Sequence, residues 1–270
     1  MINIKIIKEK GINKMKSKIT IFETGIKDGI MSKNPKFYDK NISEEERIHI
    51  FHDRRINLGK KLGIDGNHIF KANQKGQYKT NHKDGDYILL DENYMKKEDY
   101  YEEELPTDIL IISSDYKKIA VGNPQADCPI LICEDRKKGY TALSHCGASF
   151  IDRKLPIDTI KALQKCCDSN LEDIYVYISS CIKKESYIYD TYPKWATNKD
   201  LWKDFIIEKD NNFYIDLVGA IEKQLKDIGI KHIDISPIDT FKDNNYYSHA
   251  ASTRGNKEKS GQNFVGFYYN

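Results

Sequence analysis

The sequence predicts an α+β fold, mixed β-sheets flanked by helices in a single domain, and three observations carry that expectation. Short apolar runs of strand length follow one another through the middle of the chain with little between them, unlike the regular alternation of βαβ units. Three segments with helical spacing stand apart from that run, each with a start or stop signal. The 270 residues are 39% hydrophobic, enough for a sizeable core, and neither a fixed-period repeat nor a Pro/Gly/Ser linker divides them.

In chain order, Met1 to Lys18 mixes isoleucine with lysine and reads as a loosely packed N-terminal extension. It lacks the unbroken apolar stretch and small-residue cleavage site of a secretory signal. Ser43 with Glu46 spells a capping box, in which each side chain satisfies an exposed amide of a helix start. Ile48, Phe51, Leu58 and Leu62 follow near helical spacing, and Gly63 is the stop. The polar stretch from Lys79 to Glu104 reads as a solvated surface excursion. Strands are expected at Ile109 to Ile112, Ile119 to Val121, Pro129 to Cys133 and Tyr140 to Ser144. A helix from Pro156 to about Asp168 comes next, with Ile157, Ile160, Leu163 and Cys167 on one face. Ile174 to Ser179 is a strand. Asp216 opens a helix that turns Leu217, Ala220, Ile221, Leu225 and Ile228 inward and ends at Gly229. His232 to Ile235 and Phe264 to Tyr268 complete the strands.

Lysine and arginine number 43 against 41 aspartates and glutamates. That balance gives no basic field for non-specific nucleic-acid binding. No window approaches the roughly 20 apolar residues of a membrane span, so neither nucleic acid nor membrane is an expected partner. The six cysteines fall between Cys128 and Cys181 without a CxxC pair, which indicates neither a disulfide scaffold nor a zinc ribbon and makes the reducing cytoplasm the default location.

The densest chemistry lies in Ala126-Asp127-Cys128-Pro129-Ile130 and Ser144-His145-Cys146-Gly147. Cys128 precedes one apolar strand and His145 follows the next, so an antiparallel hairpin through Glu134 to Gly139 brings both to one sheet edge. A thiolate and an imidazole placed together either ligate zinc or form a nucleophile and base. Gly147 lets the backbone approach a ligand closely. The residues alone leave both chemistries open.

These two segments resemble the ADC-x-P and HAG segments of the laccase-domain family, also called polyphenol-oxidase-like or YfiH-like. Further pieces fall in the same order: Thr107-Asp108-Ile109, Tyr177 to Ile182, Asp216-Leu217, Gln224-Leu225, Gly229-Ile230, Asp239-Thr240-Phe241, Tyr246 to His249 and Gly261-Gln262-Asn263. The resemblance covers most of Asp53 to Asn270. It implies the YfiH-like, cysteine-hydrolase-like version of the α+β fold, a His-Cys-His site usually assigned to zinc, and purine nucleoside phosphorylase activity. Adenosine, inosine, guanosine and methylthioadenosine are the implied nucleosides, phosphate the co-substrate, and adenosine deamination an associated activity.

By the same resemblance Cys128 matches the family's cysteine ligand and His145 its second histidine. The first histidine has no counterpart in Ala72-Asn73-Gln74-Lys75-Gly76-Gln77. Gln74 could offer only a neutral carbonyl oxygen there, and His82 is the nearest imidazole. Ala148-Ser149 stands where the family commonly has Trp-Arg, and Ala250-Ala251 where it often carries arginine. A guanidinium fork is the usual clamp on the phosphate in phosphorolysis, so Arg153 and Arg254 are the expected substitutes. His249 is the candidate proton donor or substrate hydrogen bonder. The expected protein is a monomer or homodimer acting on a small-molecule nucleoside. Two alternatives accompany it: a metal-free cysteine hydrolase using Cys128 and His145, and a catalytically degenerate binding protein on the same fold.

Overall fold

The computed structural model describes residues 3–5, 19–72, 86–92, 105 and 107–270. Along the chain these form β1 (Asn3–Lys5), β2 (Ile19–Glu23), α1 (Glu44–Leu62), β3 (Ile69–Lys71), β4 (Ile88–Leu90), β5 (Ile109–Ser113), β6 (Ala120–Gln125), β7 (Ile130–Asp135) and β8 (Tyr140–His145). There follow α2 (Ala148–Asp152), α3 (Leu155–Cys167), β9 (Ile174–Ile178), β10 (Ile188–Tyr189), α4 (Lys199–Trp202), β11 (Ile206–Lys209), β12 (Asn212–Ile215), α5 (Leu217–Asp227), β13 (His232–Ile235), α6 (His249–Thr253) and β14 (Asn263–Tyr269).

The architecture is α+β with mixed sheets. One sheet has the order β13-β9-β7-β8-β5-β4 and a second β1-β2-β14-β6-β3, with a small ribbon β10-β12-β11 beside them. The pairs β13–β9 and β4–β5 are parallel, and the rest of the first sheet is antiparallel. Strand β5 shows how the layers stack. Ile109 and Ile111 point into a core shared with Ile160 and Leu163 of α3 and Ile221 and Leu225 of α5. Leu110 and Ile112 point the other way, against Ile21, Val121, Val265 and Phe267 of the second sheet. A strand covered on both faces loses the apolar/polar alternation, which is why ILII reads as one continuous apolar run. The outer face of the second sheet carries Phe22, Ile69 and Phe264 and is closed by Leu58 and Leu62 of α1. Helices therefore cap two sheets packed face to face.

Helix α1 begins and ends as its sequence dictates. Ser43 accepts from the Glu46 amide at 3.2 Å while Glu46 accepts from the Ser43 amide at 2.8 Å, and Gly63 closes the helix with φ of 72°. Inside the helix Gly59 is required by close approach, because a Cβ there would stand 2.5 Å from the Gly66 nitrogen. The seven expected strands are all present, with ends shifted by at most two residues except that β6 runs on to Gln125, four residues past the expected Val121.

Two expectations are corrected. Within Lys79 to Glu104, Ile88–Leu90 is a strand with Leu90 fully buried; the remainder of that stretch, apart from 86, 87, 91 and 92, lies outside the described residues. On α3 the buried residues are Leu155, Pro156, Asp158, Thr159, Ile160, Ala162 and Leu163, while Ile157 and Cys167 are half-buried. The extension Met1 to Lys18 lies outside the described residues except for Asn3–Lys5, which pairs with Ile21–Glu23. Among the described residues no helix is long and apolar enough to cross a membrane.

Candidate functional site

The hairpin expected from sequence is present: β7 and β8 pair antiparallel with Ile130 opposite His145 and Asp135 opposite Tyr140. Beyond the last pair the strands stay joined, the Cys146 amide donating to the Pro129 carbonyl at 2.9 Å. Cys128 and His145 thus sit at the same edge of the central sheet. A Cβ on Gly147 would stand 3.4 Å from both the Cys128 Sγ and the Phe150 Cδ2, so the chain passes directly over the thiol as it enters α2.

The conformation of Cys128 is set by its predecessor. Asp127 holds φ at 87°, a left-handed value rare outside glycine. Such a residue costs on the order of 1–3 kcal/mol and persists only where its surroundings fix it. Here they do. The Asp127 carboxylate accepts from the Thr240 hydroxyl at 2.8 Å and the Ala250 amide at 2.7 Å, and its carbonyl accepts from the Ile182 amide at 2.9 Å. One buried side chain ties the cysteine loop to the start of α6. Nothing local in the sequence marks Asp127 for this role, because the partners of its carboxylate lie more than a hundred residues away.

Electrostatics make both groups neutral. Burial, then the Asp127 carboxylate and the Cys181 thiol, push the Cys128 thiol up to about 12. Burial pulls the His145 imidazole down from 6.5 to about 4. Both shifts oppose a thiolate–imidazolium pair in the unliganded site. The His145 shift also bears on stability. The unfolded imidazole takes up its proton near pH 6.5 and the folded one near 4, so stability falls as pH drops through that window. The expected loss is roughly 3 kcal/mol from this group. Urea unfolding of wild type and His145→Gln at pH 7 and pH 4 checks it: the variant should lose distinctly less, and equal losses would contradict a neutral buried imidazole.

His145 lines a cleft of about 740 Å³. Its walls come from the loop after β2 (Lys33), the start of α1 (Glu44, Arg47), the ends of β3 (Lys71) and β6 (Asn123), and Phe150 of α2. Arg47 was not singled out from sequence, where it is one cation in the charged run EEER of a capped helix. The other expected substrate residues are placed elsewhere. Arg254 donates to the carbonyls of Ser186 at 2.9 Å and Ile188 at 2.8 Å and stacks on Phe241, bracing the entry to β10. Arg153 is exposed at the end of α2 and does not line the cleft. His249 is the exposed first residue of α6. Gln74 and His82 lie outside the described residues.

Zinc takes thiolate and neutral imidazole ligands, usually three from the protein at a catalytic site. Cys128 and His145 are donors of the right kind, and the described residues hold no group of three or more His, Cys, Asp or Glu that could complete such a set.

Comparisons with known proteins agree with this fold. The family described as multi-copper polyphenol oxidoreductase laccase matches residues 54–265. The crystal structure of YlmD from Geobacillus stearothermophilus superposes with a TM-score of 0.73 at 17% identity, covering 94% of this chain and 92% of that one. The hypothetical protein YfiH of Bacillus licheniformis gives 0.71 at 18% identity, covering 93% of each chain. A Neisseria meningitidis protein of the family DUF152 gives 0.66 at 14% identity, covering 94% and 95%. No curated protein matches in sequence.

Proposed function

We propose, for a chain that belongs to the family described as multi-copper polyphenol oxidoreductase laccase, that it cleaves purine nucleosides with phosphate at the Cys128–His145 edge. The observation that carries this reading is the placement of that edge beside a cleft of about 740 Å³, within the range of roughly 300–1,000 Å³ that small-molecule sites occupy.

In the reaction the bond from the sugar C1′ to the base nitrogen breaks with both electrons going to the base, and a phosphate oxygen bonds to C1′. Dihydrogen phosphate supplies the proton the base takes up, so the products are free purine and pentose 1-phosphate. His145, neutral at working pH, offers one N–H to the departing base and is not lost to protonation. Phe150, beside Gly147 on the cleft wall, presents an apolar face to a purine ring. Cys128 and His145 are also the residues that would hold a zinc ion, whose chemistry there is Lewis-acid polarisation.

The test is incubation of the purified protein with inosine or adenosine, with and without phosphate, and chromatography of the products. Free base and pentose 1-phosphate formed only with phosphate are expected. Inosine formed from adenosine without phosphate would assign deamination instead. No turnover of either nucleoside by folded, zinc-supplemented protein would leave a binding protein on this fold.

A further inference from the structure

Sheet order gives Cys128 two neighbours. It lies just ahead of β7, and β7 runs between β8 and β9, so His145 stands on one side of it and the chain leaving β9 on the other. Strands β7 and β9 pair antiparallel with Leu131 opposite Ile178, and that register holds past the strand ends. The Ser179 amide donates to the Ile130 carbonyl at 3.0 Å, and the Ile182 amide to the Asp127 carbonyl at 2.9 Å. Between these two rungs each segment has two residues, and Cys128 falls opposite Cys181.

Thr240 holds both segments from a third. Its hydroxyl donates to the Asp127 carboxylate at 2.8 Å, and its amide donates to the Cys181 carbonyl at 3.2 Å. The Cys181 sulfur is fixed as well: it accepts from Lys183 Nζ at 3.4 Å, and the same ammonium donates to the Ser236 carbonyl at 2.8 Å. Both cysteines are thiols, Cys128 half-buried and Cys181 fully buried. Facing residues of an antiparallel pair have Cα atoms about 4.5–5.5 Å apart, inside the roughly 4.4–6.8 Å that a disulfide spans. Cys146, the buried thiol on the other side, is out of register. It stands opposite Pro129, to whose carbonyl its amide donates, and Gly147 falls opposite Cys128.

We propose that Cys128 and Cys181 form an oxidation site that closes to a disulfide when the protein meets hydrogen peroxide. The Cys128 sulfur attacks the peroxide, the O–O bond breaks, and a Cys128 sulfenic acid and one water form. The Cys181 sulfur then attacks the Cys128 sulfur, the S–O bond breaks, and the hydroxyl leaves with the thiol proton as a second water. Two thiols are oxidised and one peroxide is reduced. The half-buried thiol meets the oxidant and its buried neighbour resolves it, the division found in redox-sensing pairs. The new bond ties Cys128 to the β9 side of the sheet and withdraws it from His145, and a dithiol reductant restores it. Formation of the disulfide is independent of the phosphorolysis reading; only its effect on turnover rests on that reading.

The experiment treats the full-length protein with hydrogen peroxide in the presence of a chelator, so that no bound metal shields the sulfur. Remaining thiols are then alkylated under denaturing conditions, and the linked sulfurs are located by peptide fragmentation. A disulfide between Cys128 and Cys181 is expected, with two of the six thiols lost and regained with dithiothreitol. In Cys181→Ala, Cys128 should stop at the sulfenic acid and react with dimedone; if that variant does not fold, the wild-type map decides alone. Cys128 linked to Cys146, or oxidised past the sulfenic acid while Cys181 stays a thiol, overturns the site. Cys166 and Cys167, the other half-buried thiols, gauge exposure to the oxidant, and Cys128 left as a thiol once they have reacted overturns it too. The disulfide formed as expected in a protein that cleaves no nucleoside when reduced sustains the site and refutes the phosphorolysis reading. Nucleoside cleavage by a protein that forms no such disulfide does the reverse.

Discussion

Cys128→Ala should abolish phosphate-dependent nucleoside cleavage while leaving a folded protein. The thiol is half-buried, so replacing sulfur with hydrogen removes little packing, on the order of 1 kcal/mol. Its neighbours do not depend on it: Asp127 is held by Thr240, Ala250 and Ile182, and the strand edge by Cys146 and Pro129. A group at the reacting centre, by contrast, lowers kcat by orders of magnitude when lost. Cys133→Ala is the control, a fully buried thiol of β7 on the helix side of the sheet. It should cost stability and leave turnover per folded molecule unchanged. Circular dichroism, thermal midpoint and product formation on both variants distinguish the cases. Activity retained in Cys128→Ala would remove the thiol from the chemistry, and activity lost equally in both would reduce the effect to packing.

What could be read from sequence divides along the range of the interactions involved. The ends of α1 were legible because capping is decided by Ser43, Glu46 and Gly63, all local. The β7–β8 hairpin was legible because its two runs are adjacent and joined by four residues. β2 was missed although all five of its side chains are buried: its partners, β1 and β14, lie at opposite ends of the chain, and pairing over that separation leaves no local mark. The short strands β10, β11 and β12 were missed because they are half-covered and carry no sustained alternation. The same division runs through the site. Cys128 and His145 could be placed together from their spacing, whereas Asp127 takes its role, and Arg47 and Asn123 their places on the cleft wall, from segments brought in by the fold. Arg254 shows the converse error. Proximity in sequence to the His249 segment suggested a ligand, and the fold instead turned its guanidinium onto the carbonyls of Ser186 and Ile188.

The largest loss of stability is expected from Asp152→Ala. This carboxylate, 6% exposed, ends α2 and holds the segment leading into α4. Its Oδ1 accepts at 2.8 Å from the amides of Thr197 and Asn198 and from the Trp202 indole N–H, and its Oδ2 accepts at 2.5 Å from the Thr197 hydroxyl. Trp202 is fully buried, with Trp195 packed edge-on against it at 5.1 Å. Alanine would leave the buried Trp202 indole N–H without an acceptor and strip the part-buried amides of Thr197 and Asn198 of theirs. Each such group costs about 1–3 kcal/mol, so with partial relaxation the expected loss is about 3–5 kcal/mol, read by urea unfolding. Asp152→Asn separates this account from a simple volume effect. An asparagine keeps one carbonyl oxygen for the three N–H donors, and the Thr197 hydroxyl can rotate to accept from the new amide. Only the charge assistance is lost, about 1 kcal/mol. Equal losses in the two variants would mean that the negative charge, not the acceptor geometry, holds the segment. The effect should also reach the site, because α2 is capped by Gly147, carries Phe150 on the cleft wall and is tied at its far end to the α4 segment by this side chain. At temperatures where Asp152→Ala remains folded, the proposed reaction predicts that its KM for nucleoside rises more than its kcat falls, since Phe150 is assigned there to the base and not to the bond being broken.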